Sequence, residues 1–456
     1  MNLEIFREYD IRGVVNKDYD STFAYNLGRA FATYLKHHGV KEPQNKVTIG
    51  HDARESSPEL YTSLIKGLTD SGVSVLKLGL ITTPLSYFST FHLPVSGAVM
   101  ITGSHNPPEY NGFKVSFGSA TIFGEEIQKL KHIIVGKDFI QNAAHGTTQD
   151  YDIFPPYLDR YGKDIKLKNP VKVVLDCGNG CAGVIVRALY EKIGIKPEIL
   201  FEKPDGRFPN HHPDPTVEEN MQDLKKRVLE TGAVAGIGFD GDADRIGVID
   251  HTGRLIYGDE LMVIFSRAVL KDNPGTAIIG DVKCSDRLYK DIEKNGGVPV
   301  MYKTGHSLIK AKMKEMKSKF SGEMSGHVCF ADRNDGYDDA VYAGARFIEI
   351  LSQTGKTVPE LLEGLPEAYG TPEIRIDTTD DKKWSIVKEI KKEFTSSKGS
   401  YKINEIDGIR ISFDDGFALV RASNTQPVLV CRFEATTKAR RDEIRAMVEG
   451  AVKKLL

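Results

Sequence analysis

Hydrophobic residues occur along this chain in short β-branched runs that alternate with longer amphipathic segments. The short runs predict strands, and the longer segments, with apolar residues three or four positions apart, predict helices. One succession is repeated three times: a strand, a helix, a Gly-led strand, a second helix, and a strand followed by a polar loop. The opening strands of the three copies are predicted at 47–50, 171–176 and 276–281.

The other strands of each copy follow the same order. Strands that alternate with helices predict mainly parallel sheets with helices packed on their faces. In such sheets the loops at the carboxyl ends of the strands carry the ligand site. The Gly-led strands begin at Gly72, Gly194 and Gly296. The last strands begin at Gly97, at Ala233 and near Phe320.

Helix ends are also marked in the sequence. Ser57, followed by proline, predicts the start of one amphipathic helix. Thr216 and Glu219 predict a capping box ahead of a helix over 221–229. Gly232 is the residue type that ends such a helix.

The pattern changes from about Thr371 onward. Two period-two segments, joined by a DDG turn at 414–416, predict a hairpin. A helix over 439–456 follows, so this part is predicted to be a smaller α+β domain. We therefore expect three related α/β domains and one α+β domain around a central cleft. The domain boundaries are predicted at 1–150, 151–253, 254–368 and 369–456.

Composition narrows the class of protein. The 456 residues are 40% hydrophobic and 27% charged, the balance of a globular protein, and the net charge is −2. A nucleic-acid partner is not expected, because such proteins carry a basic excess. No signal peptide or membrane-length apolar run is found, and the five cysteines fit no disulfide framework. We expect a cytoplasmic monomer that binds small molecules.

An acidic loop, FDGDADR at 239–245, follows one of the predicted strands. Its three aspartates alternate along the loop and would repel one another unless a cation lay between them. Oxygen ligands favour a hard ion, and phosphate chemistry favours Mg²⁺. An EF-hand is excluded, because its sixth and twelfth positions hold Arg245 and His251. An ordinary acidic turn is the competing interpretation. The metal-binding candidates are Asp240, Asp242 and Asp244.

A second loop, ITGSHNP at 101–107, carries a candidate nucleophile, Ser104. A serine hydroxyl needs a metal or a base for activation. A turn or capping serine is the commoner role for such a residue, and the G-x-S-x-G elbow of serine hydrolases is absent. Lys114 lies ten positions further along and could return to the same pocket.

The remaining candidate loops are polar. SGEMSGH at 321–327 offers groups for sugar hydroxyls and a histidine for proton transfer. RASNTQP at 421–427 has the composition of a phosphate cradle, although an ordinary polar turn is the alternative. FPNHHPDP at 208–215 is interpreted as structural, including His211 and His212. The further candidates are Tyr9, Arg12, Lys283 and His306.

Seven motifs in this order resemble the α-D-phosphohexomutase family, most closely its bacterial phosphomannomutase/phosphoglucomutase branch. They are FREYDIRG, TGSHNP with NGFK, FPNHHPDP, DGDADR, KTGH, GEMSGH and RASNTQP, and they span the whole chain. One departure is Ala243, where many relatives carry glycine, and we expect only a local backbone difference there.

The resemblance implies a phosphoserine isomerase. A phosphoryl group on Ser104 would pass to a hexose monophosphate, giving a hexose 1,6-bisphosphate that turns over and rephosphorylates the serine. The resemblance implies that Mg²⁺ is held by the three aspartates and the phosphate on Ser104. Lys114 and His327 would be the proton-transfer candidates, and Arg12 and Arg245 would act beside them. The implied substrate-binding residues are Tyr9, Lys283, His306, Glu323, Ser325, Arg421, Ser423, Asn424 and Thr425.

Alternatives remain at this point. A metal-dependent sugar phosphatase could use the same serine, and a non-catalytic sugar-phosphate binding protein could use the same loops. Within the family, phosphoglucosamine mutases usually carry glycine where this chain has Asn424. This difference favours mannose and glucose phosphates as substrates.

Overall fold

The computed structural model describes residues 2–41, 44–141, 144–396, 399–424 and 426–456. Four sheets follow one another along the chain, each with its own helices. The first sheet has the strand order β1–β5–β4–β2–β3–β7, with β6 paired to β5. Its strands are β1 Ile11–Val14, β2 Lys46–His51, β3 Ser74–Leu80, β4 Gly97–Ile101, β5 Tyr110–Phe117, β6 Ala120–Thr121 and β7 Thr148–Asp150. The helices are α1 Ser21–His37, α2 Ser57–Asp70, α3 Thr83–His92 and α4 Glu125–Gly136, with a 3₁₀ turn at Leu3–Ile5.

The second sheet has the order β12–β11–β10–β8–β9. Its strands are β8 Val173–Asp176, β9 Glu198–Leu200, β10 Ala235–Phe239, β11 Ile246–Asp250 and β12 Leu255–Ile256. The helices here are α5 Phe154–Asp164, α6 Val186–Lys192 and α7 Gln222–Thr231, with 3₁₀ turns at Cys181–Val184 and Glu218–Met221.

The third sheet has the order β14–β13–β15–β16. Its strands are β13 Ala277–Asp281, β14 Val298–Tyr302, β15 Phe320–Gly322 and β16 Val328–Phe330. The helices are α8 Gly258–Asp272, α9 Asp286–Lys294, α10 His306–Met316, α11 Ala340–Thr354 and α12 Val358–Leu361.

The fourth sheet is antiparallel, with the order β17–β22–β21–β20–β19 and β18 paired to β22. The predicted hairpin is confirmed as β20 and β21. The strands are β17 Tyr369–Gly370, β18 Ile374–Asp377, β19 Lys402–Asn404, β20 Ile409–Phe413, β21 Gly416–Ala422 and β22 Val428–Ala435. The helices are α13 Asp380–Ser396 and α14 Lys438–Lys453.

The predicted threefold repeat is confirmed in the strand pairing. Each opening strand lies between two parallel neighbours, the Gly-led strand and the last strand: β2 between β3 and β4, β8 between β9 and β10, and β13 between β14 and β15. The last strand of each copy then pairs antiparallel with the strand that follows it. The sheets are therefore mixed, and all three polar loops leave equivalent strand ends.

The predicted capping box is wrong. The Thr216 hydroxyl donates to Asp214 Oδ1 at 2.6 Å, and Thr216 is followed by the 3₁₀ turn Glu218–Met221, so α7 begins only at Gln222. Asp214 takes the hydroxyl that the box would have used, because its side chain forms a local turn with the same backbone. Gly232 does end the helix, at a φ of 63°.

Hydrophobic burial joins some of these units and separates others. The first sheet and the last sheet each have a core cluster of their own. One continuous cluster runs from Leu78 through the second and third sheets to Leu362. Helix α11 contributes to this shared core, because it packs on β10 and β11 of the second sheet. The domain boundaries at 150, 253 and 368 stay a prediction. Within the described ranges, no helix combines the length and apolar composition that crossing a membrane requires.

Two glycines let α1 and α2 touch through their backbones. A Cβ at Gly28 would lie 2.4 Å from the Leu64 carbonyl oxygen, and one at Gly67 would lie 2.0 Å from the Tyr25 carbonyl oxygen. Backbone atoms cannot move aside as a flexible side chain can. The close approach of the two helices therefore depends on both glycines.

We predict that Gly67→Ala lowers the free energy of unfolding by about 1–3 kcal/mol, because the methyl group forces α1 and α2 apart. Gly450→Ala is the matched control, since Gly450 lies inside α14 and a Cβ there would meet no described atom within 4 Å beyond the backbone of its own helix. The control should raise stability by about 0.5–1 kcal/mol, the usual helix preference of alanine. Urea denaturation measures both variants, and equal stability of the two would contradict the prediction.

Candidate active site

Ser104 lies in the loop after β4, where the backbone turns sharply. Its φ is 51°, and the residue is 2% exposed. Its amide donates to Thr102 Oγ1 at 2.8 Å, and its hydroxyl donates to Asp240 Oδ2 at 2.8 Å. The structure therefore brings the predicted nucleophile into direct contact with the predicted acidic loop, although they lie in different sheets.

The three aspartates of the acidic loop are fully buried and offer oxygens that all lie within 4.8 Å of one another. Among the described residues, Asp242 Oδ1 and Asp244 Oδ1 have no hydrogen-bond partner. Burial, and then the neighbouring carboxylates, raise the pKa of Asp240 well above its usual value. Buried oxygens of one charge without donors fit a hard divalent cation, so this cluster is a candidate metal site.

Lys114, on β5, neutralises part of this negative charge. Its Nζ donates to Asp242 Oδ2 at 2.9 Å and also contacts Asp244 Oδ2. Burial lowers the pKa of Lys114, but the two aspartates outweigh burial and raise it well above the usual value. In this arrangement the lysine is held protonated, so it contributes positive charge beside the aspartates and is a poor proton acceptor.

His327 lies between an arginine and a carboxylate. Its Nε2 accepts a hydrogen bond from Arg245 Nε at 3.0 Å, and its Nδ1 lies 2.9 Å from Asp338 Oδ2. The ring of His306 stacks on it with 5.2 Å between centroids. Lys310 donates to the other oxygen of Asp338 at 2.8 Å. Asp338 Oδ2 also lies 3.5 Å from His306 Nδ1, so this carboxylate neighbours two predicted histidines and a lysine.

Sequence reasoning missed Asp338. It lies just before α11 in the segment NDGYDDA, where an acidic pair reads as the start of a helix. Asp339 is the residue of this pair that caps the helix, since its side chain accepts from the Tyr342 amide. Only the folded chain places Asp338 beside His327.

Hydrogen bonds from neighbouring loops orient the acidic groups at the predicted sugar-binding wall. Glu323 is buried, and its Oε1 accepts from the Gly305 amide at 2.7 Å. Burial is the largest effect on Glu323 and raises its pKa. Lys283 Nζ lies 3.3 Å from Glu373 Oε2, a second residue that the motifs did not indicate. The carboxylates of Glu323 and Glu373 are thus oriented by a backbone amide and by a lysine, respectively.

The predicted phosphate cradle lies on the wall of the same cavity as Ser104. Arg421 donates to Asp407 Oδ2 at 3.0 Å, and the Ser423 hydroxyl accepts from the Gln426 amide at 3.2 Å. Asn424 donates to the Tyr9 hydroxyl, which itself donates to the Thr304 carbonyl at 2.6 Å. The first and last units of the chain therefore meet at Tyr9. Thr425 lies outside the described residues.

A single cavity of about 760 Å³ connects these groups. Ser104 and Lys114 line this cavity. The three aspartates do not, and they lie behind these two residues. His212, interpreted as structural, also lines the cavity, whereas His211 lies 3.0 Å from Asp176 Oδ2. The other predicted residues on the wall are Tyr9, Arg12, Arg245, Lys283, His306, Glu323, Ser325, His327, Arg421, Ser423 and Asn424.

Arg12 is anchored at this wall by its own loop and by the serine loop. One of its terminal nitrogens pairs with Asp10, and the other donates to Asn106 Oδ1 at 3.3 Å. Because Arg12 cannot lose its proton at ordinary pH, it contributes a fixed positive charge near Ser104. A cleft with fixed cations and a buried acidic cluster is suited to moving a phosphoryl group.

Four family models match the chain in order. They are described as phosphoglucomutase/phosphomannomutase alpha/beta/alpha domains I, II and III, at residues 3–141, 155–253 and 257–369, and the C-terminal domain of the same family, at 373–451. Together they account for most of the chain. The chain belongs to the phosphoglucomutase/phosphomannomutase family, which confirms the resemblance and the predicted fold class.

Individual relatives agree over nearly full length. The chain is 45% identical to a phosphomannomutase/phosphoglucomutase of Pseudomonas syringae pv. tomato, covering 99% of this chain and 95% of the relative. It is 43% identical to a phosphoglucomutase of Neisseria gonorrhoeae, covering 98% and 96%. The crystal structure of a phosphoglucomutase/phosphomannomutase family protein from Burkholderia thailandensis superposes with a TM-score of 0.92 at 41% identity, covering 100% of this chain and 98% of that one.

The one departure in the acidic loop, Ala243, has a structural consequence. Its φ is 62°, in the left-handed region that glycine adopts without cost, and its side chain is fully buried. The Ala340 amide donates to its carbonyl at 3.2 Å, so the turn also supports the start of α11. Ala243 is thus held in a conformation that glycine would adopt freely, and the local backbone difference from relatives stays a prediction.

We predict that Ala243→Gly stays within about 1 kcal/mol of the parent in free energy of unfolding, because relief of left-handed strain offsets the loss of one methyl contact. Ala243→Val should lose about 2 kcal/mol or more, since a β-branched residue is poorly tolerated at positive φ. Thermal and urea denaturation measure the difference. A valine variant as stable as the glycine variant would show that the turn carries no such constraint.

Proposed function

We propose that the protein is a phosphohexomutase, an isomerase that interconverts hexose 1-phosphate and hexose 6-phosphate of mannose and glucose. The observation that carries this proposal is the contact of 2.8 Å between the Ser104 hydroxyl and Asp240 in a cavity shared with Arg421 and Asn424. A nucleophile with an acidic cluster at one end and a phosphate cradle at the other gives a bisphosphate two places to bind.

The acidic cluster is proposed to hold Mg²⁺. Asp240, Asp242 and Asp244 would bind it together with the phosphate carried on Ser104. When bound, the ion offsets charge on the phosphoryl group being transferred. The orphaned oxygens of Asp242 and Asp244 support this assignment, since they have no donor among the described residues.

Transfer itself requires little more than positioning and charge. The bond between phosphorus and Ser104 Oγ breaks, and a new bond forms to a hydroxyl oxygen of the sugar phosphate. Arg245, whose backbone amide donates to Asp240 Oδ1 at 3.1 Å, can stabilise the equatorial oxygens. Arg12 lines the same cavity and adds a second positive charge. These groups lower the barrier by electrostatic stabilisation.

The sugar hydroxyl must lose a proton as it attacks. Lys114 is held protonated by two carboxylates, so it supplies positive charge beside the acidic cluster and is unsuited to accept the proton. His327 is the better acceptor once Arg245 releases its Nε2, because Asp338 lies 2.9 Å from its Nδ1 and can stabilise the imidazolium that forms. Between the two predicted proton-transfer groups, we therefore assign proton acceptance to His327 and charge stabilisation to Lys114.

The second half of the reaction requires the bisphosphate to turn end for end. Glu323 and Ser325 would hold sugar hydroxyls in either orientation, while Arg421, Ser423, Asn424 and Thr425 would hold the phosphate that is not reacting. His306 and Lys283 complete this binding wall, and Tyr9 joins it to the serine side through Asn424. Retention of the intermediate in the closed cavity would favour rephosphorylation of Ser104 over release.

Mannose and glucose are preferred over glucosamine in this proposal because of Asn424. Its amide already makes a hydrogen bond across the cleft to Tyr9, a contact that a glycine could not supply. Coupled assays with mannose 1-phosphate, glucose 1-phosphate and glucosamine 1-phosphate test the substrate class. The cytoplasmic location and the monomeric state stay predictions from the sequence.

We predict that purified protein carries one phosphoryl group on Ser104 and that Ser104→Ala lowers kcat by at least about 1,000-fold, because the variant lacks the oxygen that carries the group. Intact-mass measurement and a coupled assay with glucose 1-phosphate check both points. Full activity of Ser104→Ala would reject the mutase mechanism. Steady release of inorganic phosphate, instead of isomerisation, would support the phosphatase.

We also predict that EDTA abolishes activity, that Mg²⁺ restores it, and that Mg²⁺ raises the melting temperature of the parent but not of Asp242→Asn. An ion that binds only the folded state stabilises it by about 2.7 kcal/mol at a hundred times its Kd. Asp415→Asn is the control, because Asp415 pairs with Arg440 on the surface of the last unit. Sugar-phosphate binding that survives EDTA without any turnover would favour the non-catalytic binding protein.

A further inference from the structure

Arg54 is a fully buried arginine that no motif indicated. It lies between β2 and α2, is 1% exposed, and does not line the cavity. Its guanidinium donates to four backbone carbonyls, all in the segment that carries the nucleophile. The acceptors are Ser104 at 2.8 Å, Asn106 at 2.6 Å, Pro107 at 2.5 Å and Tyr110 at 2.9 Å.

The adjacent carboxylate of Asp52 fixes this arginine and also reaches the serine loop. Asp52 Oδ2 accepts from Arg54 Nε at 3.1 Å and from the Gly103 amide at 3.1 Å. Asp52 Oδ1 accepts from the Ser57 hydroxyl at 2.5 Å, which ties it to the first turn of α2. The pair therefore fixes the backbone on both sides of the nucleophile. Asp52 accepts from the Gly103 amide, and Arg54 donates to the Ser104 carbonyl.

Residues of the second α/β unit pack against Arg54 and the serine loop. A Cβ at Gly206 would lie 2.4 Å from Arg54 Cα, and the ring of Phe208 lies 5.2 Å from the guanidinium carbon. Gly241, in the acidic loop, approaches so closely that a Cβ there would lie 2.4 Å from the Ser104 carbonyl oxygen. The Ser104 carbonyl is thus held between Arg54 and the loop of the three aspartates.

The geometry of the loop explains why an arginine is needed. The turn at Ser104 has positive φ, so its carbonyls point away from any regular ladder and must find donors elsewhere. A guanidinium presents five N–H groups in a rigid plane, whereas the lysine ammonium has three donors on a flexible stem. A strained backbone at a reactive residue persists only where its surroundings fix it.

We propose that Arg54 is the positioning residue of the nucleophile: together with Asp52 it holds the 103–110 backbone so that the Ser104 side chain points at the acidic loop. This inference rests on the proposed function of Ser104 as phosphoryl carrier. Arg54 touches neither the cavity nor the serine hydroxyl, so it acts on the reaction only through the loop. Its loss should impair transfer and leave binding at the distant phosphate cradle intact.

The test compares the parent, Arg54→Lys and Arg346→Lys in the coupled mutase assay with glucose 1-phosphate. A displacement of about 1 Å at a nucleophile costs about a hundredfold in rate, so Arg54→Lys should lower kcat about that much while KM stays within about threefold. Hydrogen–deuterium exchange should become faster over residues 103–111 and remain as in the parent elsewhere. The ³¹P resonance of the phosphoserine should narrow and shift towards that of free phosphoserine.

Arg346→Lys is the matched control, because Arg346 is also buried and paired, with Asp332 at 2.8 Å and the Tyr342 hydroxyl at 3.1 Å, but lies away from the cavity. It should lose stability without losing kcat. If Arg54→Lys keeps kcat within about threefold of the parent, or if Arg346→Lys loses as much, Arg54 has only a structural role and the proposal is overturned.

Should Arg54→Lys fail to fold, Asp52→Asn decides the matter. It keeps the shape of the side chain and removes the charge that orients Arg54, and it should lower kcat at least about tenfold with faster exchange over 103–111. Unchanged kcat and exchange in that variant would overturn the proposal. Absence of mutase activity in the parent enzyme would instead contradict the proposed function. The exchange measurement would still test the role of Arg54 in the loop.

Discussion

Three clustered, buried carboxylates, one of which contacts the Ser104 hydroxyl, are the constraint on which the rest of this structure depends. Asp240, Asp242 and Asp244 are removed from water at mutual distances below 4.8 Å, where like charges repel strongly. Lys114 offsets part of that repulsion, and the unpaired oxygens leave room for a cation. A cluster of this kind is costly to bury without a function, and the phosphoryl chemistry proposed for Ser104 supplies one.

Bringing the serine to that cluster requires loops from different sheets to meet at backbone distance. Each of the first three sheets repeats the same strand order, so each delivers its polar loop from the equivalent strand end. Glycines make the final approach possible, as Gly241 does against Ser104. Both loops also contain a residue at positive φ, Ser104 in one and Ala243 in the other. The repeat thus sets the strand end from which each loop leaves, and a few backbone contacts set how closely the loops approach one another. The cavity also joins parts of the chain that share no core, since Asn424 of the last unit reaches the Tyr9 hydroxyl.

How much of the fold and of the candidate site could be predicted depends on how far along the chain each sequence pattern acts. The succession of strands and helices, the hairpin and the candidate loops were predictable, because alternation, glycine and clustered polar residues act over neighbouring positions. The capping box at Thr216 failed because Asp214, two residues away, competes for the same hydroxyl. Asp338, Glu373 and Arg54 were missed because their partners lie far along the chain or are backbone carbonyls, which leave no trace in side-chain patterns.

The sequence by itself determined the repeated α/β pattern, the family, and the residue types that can carry a phosphoryl group, a cation and a phosphate. Tertiary structure alone decided that the acids lie beneath Ser104, that Lys114 is held protonated between two of them, and that a buried arginine grips the nucleophile's backbone. The physical reason is that local patterns fix which chemistry a loop offers. Charge, pKa and orientation depend instead on which distant groups the fold brings within a few ångströms.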